Sequence, residues 1–468
     1  MTGTEVVVGL DIGTTRSKVV VRDFGSRQVA LVEARTPWRT VDGGTETTAP
    51  AVLRLAVDLL CSAVEDAEQR IGPARVLGVG VTGLGESGVL LDADGRPCAP
   101  VIAWFDQRGT EQLHQTGERA TILPEQFARH TGLPWNCQAS VAKLLWLQSN
   151  GVTLTPAHRW ASVPEWVVYR LGGSLVREPS LAARTGLVDQ ATGELWHDGV
   201  SAAGLPTTLL PPPVCAGVPV GSLRHDGLPS SLQGAALTVA GHDHPVAAIG
   251  VGAVGPDELF NSAGTADVVV RSLPGTLDPD RRELLVRSGL SAGSHMLAGT
   301  TVLLGGVRGG LLLRRVLAAL GATKSPERDR LDRASLAIHD LPPGLEVSGA
   351  GQTGDGVVLR IRDDVTPADI WAAAVRHVTR EIRHLIATID AVVGPHRRAV
   401  ACGGWTRMQS VRAAKQSAIG NLEFSTLREP GVVGAALLAA QAAGGSSVRA
   451  TADIRHDDSV TTFSGGDS

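Results

Sequence analysis

The stretch GLDIGTTRSKVVVRD, residues 9–23, is a valine-rich strand that runs into an aspartate, a glycine and two threonines and then turns apolar again. A carboxylate at the end of a buried strand is unfavourable unless something pairs with it. The turn is therefore either a polar hairpin or the seat of a charged ligand. The same pattern returns at residues 258–271 as ELFNSAGTADVVVR. Two strand, Gly-Thr turn, strand units this far apart predict two domains of one topology, each offering the same kind of turn. A chain of 468 residues has the length for that, because single cores stop growing at about 250–300 residues.

Between these units, helical spacing of Leu53, Val57, Leu60 and Val64 predicts a helix over residues 51–69. Strands follow at RVLGVGVTG and GVLLD, the second closed by the turn ADGRP. GVGVTG is not read as a dinucleotide fingerprint, because its context is wrong. Residues 120–210 read as helical and irregular, and a proline-rich connector lies around 210–222. ALTVAGHD is a strand entering a charged turn, taken as the start of the second domain. Thr366, Pro367 and Asp369 combine a cap, a first-turn proline and a first-turn acid. Ile370, Ala374, Val378, Ile382, Leu385 and Ile389 then form one apolar stripe, and the strand RRAVACGGW follows. The expected division is 1–235, 236–445 and a polar tail at 446–468.

Charge and cysteine use narrow the function. The formal net charge is −4 and the signs are interspersed. No basic stripe points to nucleic acid, and no polybasic cluster or long apolar run points to a membrane. Five scattered cysteines, Cys61, Cys98, Cys137, Cys215 and Cys402, form no Cys-x-x-Cys pair and predict reduced thiols in a cytoplasmic protein. Asp11 interrupts the N-terminal apolar run, so no signal peptide is expected.

Glycines in tight turns let successive backbone N–H groups approach an anion. Gly13, Thr14 and Thr15 in one domain and Gly264 and Thr265 in the other suit the two sides of a polyphosphate. Asp11 beside the first turn suits a divalent cation, since Mg²⁺ prefers carboxylate, phosphate and water oxygens. Asp243, at the end of ALTVAGH, is placed to accept a proton from a hydroxyl attacking phosphorus. His242 and His244 are either metal ligands, substrate contacts or local packing. Gly403 and Gly404 end a strand and open a helix, which leaves bare backbone for a nucleoside or is a plain turn.

The order and spacing of GLDIGTTRSK, VTGLGESGVLLDADGRPCAPVIAWFDQR, KLLWL, SLAARTGLVD, AGHDHPVAAIGVG, NSAGTADVV, ACGGWTRM and EPGVVGAALLAA resemble the FGGY carbohydrate kinases over residues 5–445. The resemblance implies an α/β fold of two actin-like, ribonuclease H-like domains with an ATP/sugar cleft between them. It implies ATP and Mg²⁺ as cofactors, with Asp11 and Asp243 near the metal and Asp243 as catalytic base. Gly13, Thr14, Thr15, Lys18, Gly264 and Thr265 would then serve the phosphates and Gly403 and Gly404 the adenosine. Gly85, Glu86, Trp104, Asp106, Asp243 and His244 would face a small sugar or polyol, a xylulose-like ketose being favoured. A homodimer is the expected assembly. Glu86 is expected to face the sugar; the competing reading is an ion pair with a base such as Arg108.

The chain also departs from the family pattern. Pentulose kinases of the family show Gln-Met-His where this chain has Leu84, Gly85 and Glu86, and glycerol kinases show Arg-Glu at Gly85 and Glu86. The loop before the late helix is the short SGAGQTGDG, and Met408, Ala413 and Ser417 stand where Ser, Gln and Asp are frequent. Two other functions share the fold. An actin-like ATPase would need a peptide-binding domain or polymer surface. An inert sugar-binding regulator would lack Asp11 or Asp243, and both are present.

Overall fold

The computed structural model describes residues 3–445, apart from 25–26, 42 and 352–355. The expected tail at 446–468 lies outside the described residues, as do residues 352–355 of SGAGQTGDG. Two sheets organise the chain. In the first, β1 (Thr4–Ile12), β2 (Arg16–Asp23) and β3 (Gln28–Arg35) form an antiparallel meander. Helix α1 (Ala49–Ile71) leads to β4 (Ala74–Gly83), parallel to β1, and β5 (Ala236–His242) adds in parallel beyond it. The order is β5-β4-β1-β2-β3.

After α2 (Asp243–Gly250) the second sheet repeats this plan. β6 (Glu258–Ala263) and β7 (Asp267–Pro274) are the second Gly-Thr hairpin. β8 (Leu290–Ser294) and β9 (Thr300–Val307) extend its antiparallel side. Helix α3 (Gly309–Ala319) and the long helix α4 (Pro367–Val393) precede β10 (Arg398–Cys402), which is parallel to β6. Helix α5 (Gln409–Ala418), the parallel strand β11 (Leu422–Phe424) and helix α6 (Pro430–Ala442) complete the chain. The order β8-β9-β7-β6-β10-β11 matches the first sheet strand for strand, with β8 as an addition. The predicted duplication is thus present in the topology.

The expected boundary at 235/236 needs correction. β5 hydrogen-bonds to β4, so residues 236–242 close the first sheet rather than open the second domain. The reading of Asp243 changes with it: it follows the last strand of the first sheet. The end of the chain crosses back as well. Val432, Ala436 and Ala439 of α6 pack on Val7 and Val20 of the first sheet. Conversely, Ala247, Ala248 and Val251, from α2 and its end, pack on Phe260, Val268, Val270 and Val400 of the second. Each half therefore lends one helix to the other.

These contacts explain the glycines in VVVGL and LGVGV. A Cβ at Gly9, Gly78 or Gly80 would stand 2.0–2.4 Å from α6 carbonyl oxygens, so only glycine lets the helix lie flat on β1 and β4. The opposite face of β1, with Val6, Val8 and Leu10, meets α1. The buried seam of α1 runs through Val52, Ala56, Leu59, Leu60, Ala63, Val64 and Ala67. Leu53 and Val57, expected at its centre, lie half-buried at the flank, because close contact with a sheet favours the small alanines. The start of α4 is as the sequence predicts: Thr366 and Asp369 form a reciprocal capping box. Its six-residue stripe is buried in full. Residues 110–205 hold a separate helical core around Leu113, Phe127, Leu144 and Trp196. No helix among the described residues is long and apolar enough to cross a membrane.

Candidate active site

Parallel strands β1 and β5 deliver two aspartates to the same end of the first sheet. Asp11 is the penultimate residue of β1, and Asp243 follows β5 directly. Asp11 Oδ1 is buried with no hydrogen-bond partner. Burial pushes the Asp11 carboxyl up to about 7, with the charge of Asp243 adding to the effect. Burial would raise Asp243 too, but the His244 and His242 imidazoles and the hydrogen bonds from His244 outweigh it and hold Asp243 below the usual carboxylate range. The nearest nitrogens all face Asp243 Oδ1: His244 N hydrogen-bonds to it at 2.7 Å, and His244 Nδ1 and His242 Nε2 lie 2.9 and 3.2 Å from it. Among the described residues Oδ2 has no hydrogen-bond partner, and 22% of the side chain is exposed. The histidine rings stack nearly parallel, with centroids 5.7 Å apart. Burial drives His242 down to about 4, so it is neutral, whereas Asp243 raises His244 against the opposing effect of burial. Among the described residues no three His, Cys, Asp or Glu side chains converge as a metal cage. Both histidines turn a ring nitrogen toward Asp243.

The first turn is braced from behind. Trp104 Nε1 donates to Thr14 Oγ1 (2.9 Å), Trp38 Nε1 to the Thr14 carbonyl (2.7 Å) and Thr36 Oγ1 to the Gly13 carbonyl (2.6 Å). Thr15 is exposed. Lys18 does not stand free at the turn: it forms an ion pair with Glu429 at the entry to α6. Glu429 acts electrostatically on Asp11 and also on Cys402, the residue before Gly403. Gly431 in the first turn of α6 faces Asp11, whose Oδ2 would lie 3.4 Å from a Cβ there. The start of α6 thus joins the first turn to the end of β10.

In the second half, the Gly264 amide closes a tight turn onto the Ala266 carbonyl (3.0 Å), and Thr265 is exposed. The Leu311 amide of α3 donates to the Thr265 carbonyl (3.0 Å) and fixes the turn. Asp267, just after it, is buried against Lys415 of α5 (2.7 Å), which also reaches Asn261 (2.8 Å). Gly403 ends β10 with φ 115°, and Gly404 opens a single 3₁₀ turn with open space where a Cβ would be.

Two residues expected at the sugar have charged protein partners. Asp106 accepts from Arg108 N (2.8 Å), from the Arg108 guanidinium (2.9–3.1 Å) and from Thr45 N (2.5 Å), and its side chain is fully covered. It is a framework residue. With Arg108, Glu46 and the buried Lys143, it holds the loop that presents Trp104. Glu86 was expected to face the sugar unpaired, with Arg108 as the competing partner. It is paired, but with Arg184: Nε and Nη2 lie 2.8 and 2.7 Å from Oε1. Burial would raise the Glu86 carboxyl, and Arg184 outweighs it and lowers it. Gly85 makes room for this pair, since a Cβ there would meet Arg184 Cγ at 2.6 Å. Arg184 Nη1 continues to Ser291 Oγ (2.8 Å) on β8, linking the two halves. Glu86, Arg184, His242, His244 and Asp243 thus form one electrostatic cluster. Sequence reasoning passed over Arg184, although an arginine within the small-residue run SLAARTGL signals a buried acid partner. Glu429 carried no such signal.

Residues 6–250 match the FGGY family of carbohydrate kinases, N-terminal domain. The chain is similar to an L-fuculokinase of Salmonella typhi, 29% identical over 280 residues, which are 57% of each protein. It is similar also to a glycerol kinase of Rhizorhabdus wittichii, 27% identical over 281 residues, 57% of this chain and 53% of that one. The chain spans a little over half the length of these relatives. A xylulose kinase from Rhodospirillum rubrum has the same fold, with a TM-score of 0.80 at 22% identity, covering 96% of this chain and 92% of that one. So does a gluconate kinase from Lactobacillus acidophilus, with a TM-score of 0.82 at 18% identity and coverage of 98% and 93%.

Proposed function

The chain belongs to the FGGY family of carbohydrate kinases, and we propose that it transfers the terminal phosphoryl group of ATP to a hydroxyl of a small sugar or polyol, a xylulose-like ketose being favoured. The observation that carries this reading is the pair of aspartates at the same end of the parallel strands β1 and β5, each with an oxygen that has no hydrogen-bond partner among the described residues. Asp243 Oδ2 is the base atom. The two histidines orient the carboxylate and keep it ionised, so it can take the proton of the attacking hydroxyl. Asp11 is the carboxylate for a hard cation: its orphaned Oδ1 fits the oxygen-only preference of Mg²⁺, which when bound supplies charge neutralisation on phosphate oxygens. The turns at Gly13–Thr15 and Gly264–Thr265 offer N–H and hydroxyl donors to the phosphates, with Gly403 and Gly404 at the nucleoside. Glu86 and Trp104 border the sugar, and the Glu86–Arg184 pair sets which hydroxyls fit.

The named relatives act on chemically different alcohols, so the test is a panel. The protein is incubated with ATP and Mg²⁺ and with pentuloses, hexuloses, alditols and aldonic acids in turn, and phosphate esters are identified by ³¹P NMR and mass spectrometry. A phosphate ester whose formation tracks ADP release supports the reading. ATP hydrolysis that is indifferent to every acceptor and yields no ester refutes it.

A further inference from the structure

Asp243 hangs on an irregular piece of backbone. β5 pairs with β4 in register up to Val239, then slips: Gly241, not Ala240, is opposite Thr82, so one extra residue is inserted just before the aspartate. Such a bulge re-aims the residues that follow it. Gly241 has φ 109°, a conformation that disfavours any side chain. Something must hold it, and two groups do. Thr82 Oγ1 donates to the Gly241 carbonyl (2.7 Å), and the His242 amide donates to Ser180 Oγ (2.9 Å).

Ser180 is in turn fixed by Glu178. Its hydroxyl donates to Glu178 Oε2 (2.5 Å), and the amides of Ser180 and Leu181 converge on the same oxygen (3.0 and 3.1 Å). Glu178 has no solvent exposure, and its Oε1 has no partner. A second buried acid stands behind it: Glu165 accepts from the Glu178 amide and from the Ser162 amide, both at 2.7 Å. Ser162 Oγ reaches the Gly85 carbonyl (3.3 Å). A Cβ on Gly241 would lie 2.7 Å from Ser180 Oγ and 3.0 Å from Glu178 Oε2, so the glycine, the serine and the glutamate fit only one another.

We propose that Glu178, acting through Ser180, is a positioning residue for Asp243: it holds the bulged end of β5 in the one conformation that aims Asp243 at the acceptor hydroxyl. This rests on the kinase reading above. A cap for the four-residue helix Pro179–Ala182 needs only the amides of Ser180 and Leu181. The hydroxyl relay to the His242 amide goes beyond that need and leads to the residue next to the base. Burial pushes the Glu178 carboxyl up to about 7, so glutamine, neutral and of the same shape, is a close substitute for it.

The test is a double-mutant comparison on the full chain with the best acceptor of the panel. Glu178→Ala lowers kcat by about 10²-fold, the cost of a misplaced reacting group, with the KM for ATP unchanged. Glu178→Gln restores most of that loss. In the Asp243→Asn background Glu178→Ala has no further effect, because there is no base left to aim. The inference is overturned if the two losses multiply, or if Glu178→Ala lowers only the melting temperature while the folded enzyme keeps its kcat. Should Glu178→Ala not fold, Ser180→Ala, which removes the acceptor of the His242 amide and its link to Glu178 but leaves Glu178 in place, is put through the same comparison. A wild-type protein that phosphorylates nothing on the panel refutes the kinase reading itself, and this inference with it.

Discussion

Asp243→Asn separates the base from its surroundings more cleanly than any other change at this site. The three nitrogens that approach the carboxylate all meet Oδ1. An asparagine can turn its carbonyl oxygen to them and keep the His244 amide contact, leaving its NH₂ where Oδ2 stood. The helix start is retained, since α2 begins at this residue whichever side chain it carries. What changes is that an acceptor facing the substrate hydroxyl becomes a donor and cannot take its proton. A positioned base contributes about 10²–10⁴-fold, or roughly 2.7–5.5 kcal/mol of barrier. We expect kcat to fall by that factor, the KM for ATP to stay near the wild-type value and the melting temperature to move little. Product ester, not ADP alone, is measured, because loss of the base spares slow ATP hydrolysis. Nucleotide binding can be followed by the fluorescence of Trp104, whose indole donates to Thr14 in the first turn. Near-full kcat in a folded Asp243→Asn protein would refute the assignment of the base and with it the reasoning from the orphaned oxygens.

Glu86→Gln removes the charge opposite Arg184 in a pair whose side chains are 11% and 15% exposed; at about 1.5–3 kcal/mol for a charged hydrogen bond it should lower both the melting temperature and the sugar kcat/KM. An unchanged melting temperature would mean that the pair is not formed in solution. Thr265→Val keeps the shape of the second turn and removes its hydroxyl, so the KM for ATP should rise or kcat fall; unaltered kinetics in both would exclude that turn from the phosphates. Stability should also depend on pH. Asp11, Glu165 and Glu178 have folded-state values raised to about 7, 8 and 7, far above those of unfolded carboxyls. Between about pH 6.5 and 8 the unfolded chain has all three ionised while the folded protein still binds protons, so stability falls as pH rises, by about 1.4 kcal/mol per realised pKa unit. The raised His244 acts in the same direction. A melting temperature that climbs across this window in the ligand-free protein would contradict the burial argument.

Much of the fold could be read from local order. The two Gly-Thr hairpins, the capping box at Thr366 and the stripe from Ile370 to Ile389 depend on residues close in sequence, whose periodicity and turn chemistry carry over directly to the structure. Asp11 was legible for the same reason: a carboxylate in a valine strand calls for a partner, and the structure leaves its Oδ1 without one. GVGVTG was legible only as not being a dinucleotide fingerprint. The cause of Gly78 and Gly80, the carbonyls of α6, comes from residues more than three hundred positions away in the chain.

The sequence by itself therefore determined the elements, the duplicated topology and the two aspartates. Tertiary structure alone decided which half owns β5 and α6, that Glu86 meets Arg184 rather than Arg108, and that Asp106 is consumed by the framework. The physical reason is that hydrophobic periodicity specifies which face of an element is buried but not against what. A strand such as ALTVAGH is equally apolar on either sheet, and a buried acid takes whichever base the packing brings within about 3 Å. Partner choice among like residues is a property of the assembled core: it gives Glu86 to Arg184 and Asp106 to Arg108.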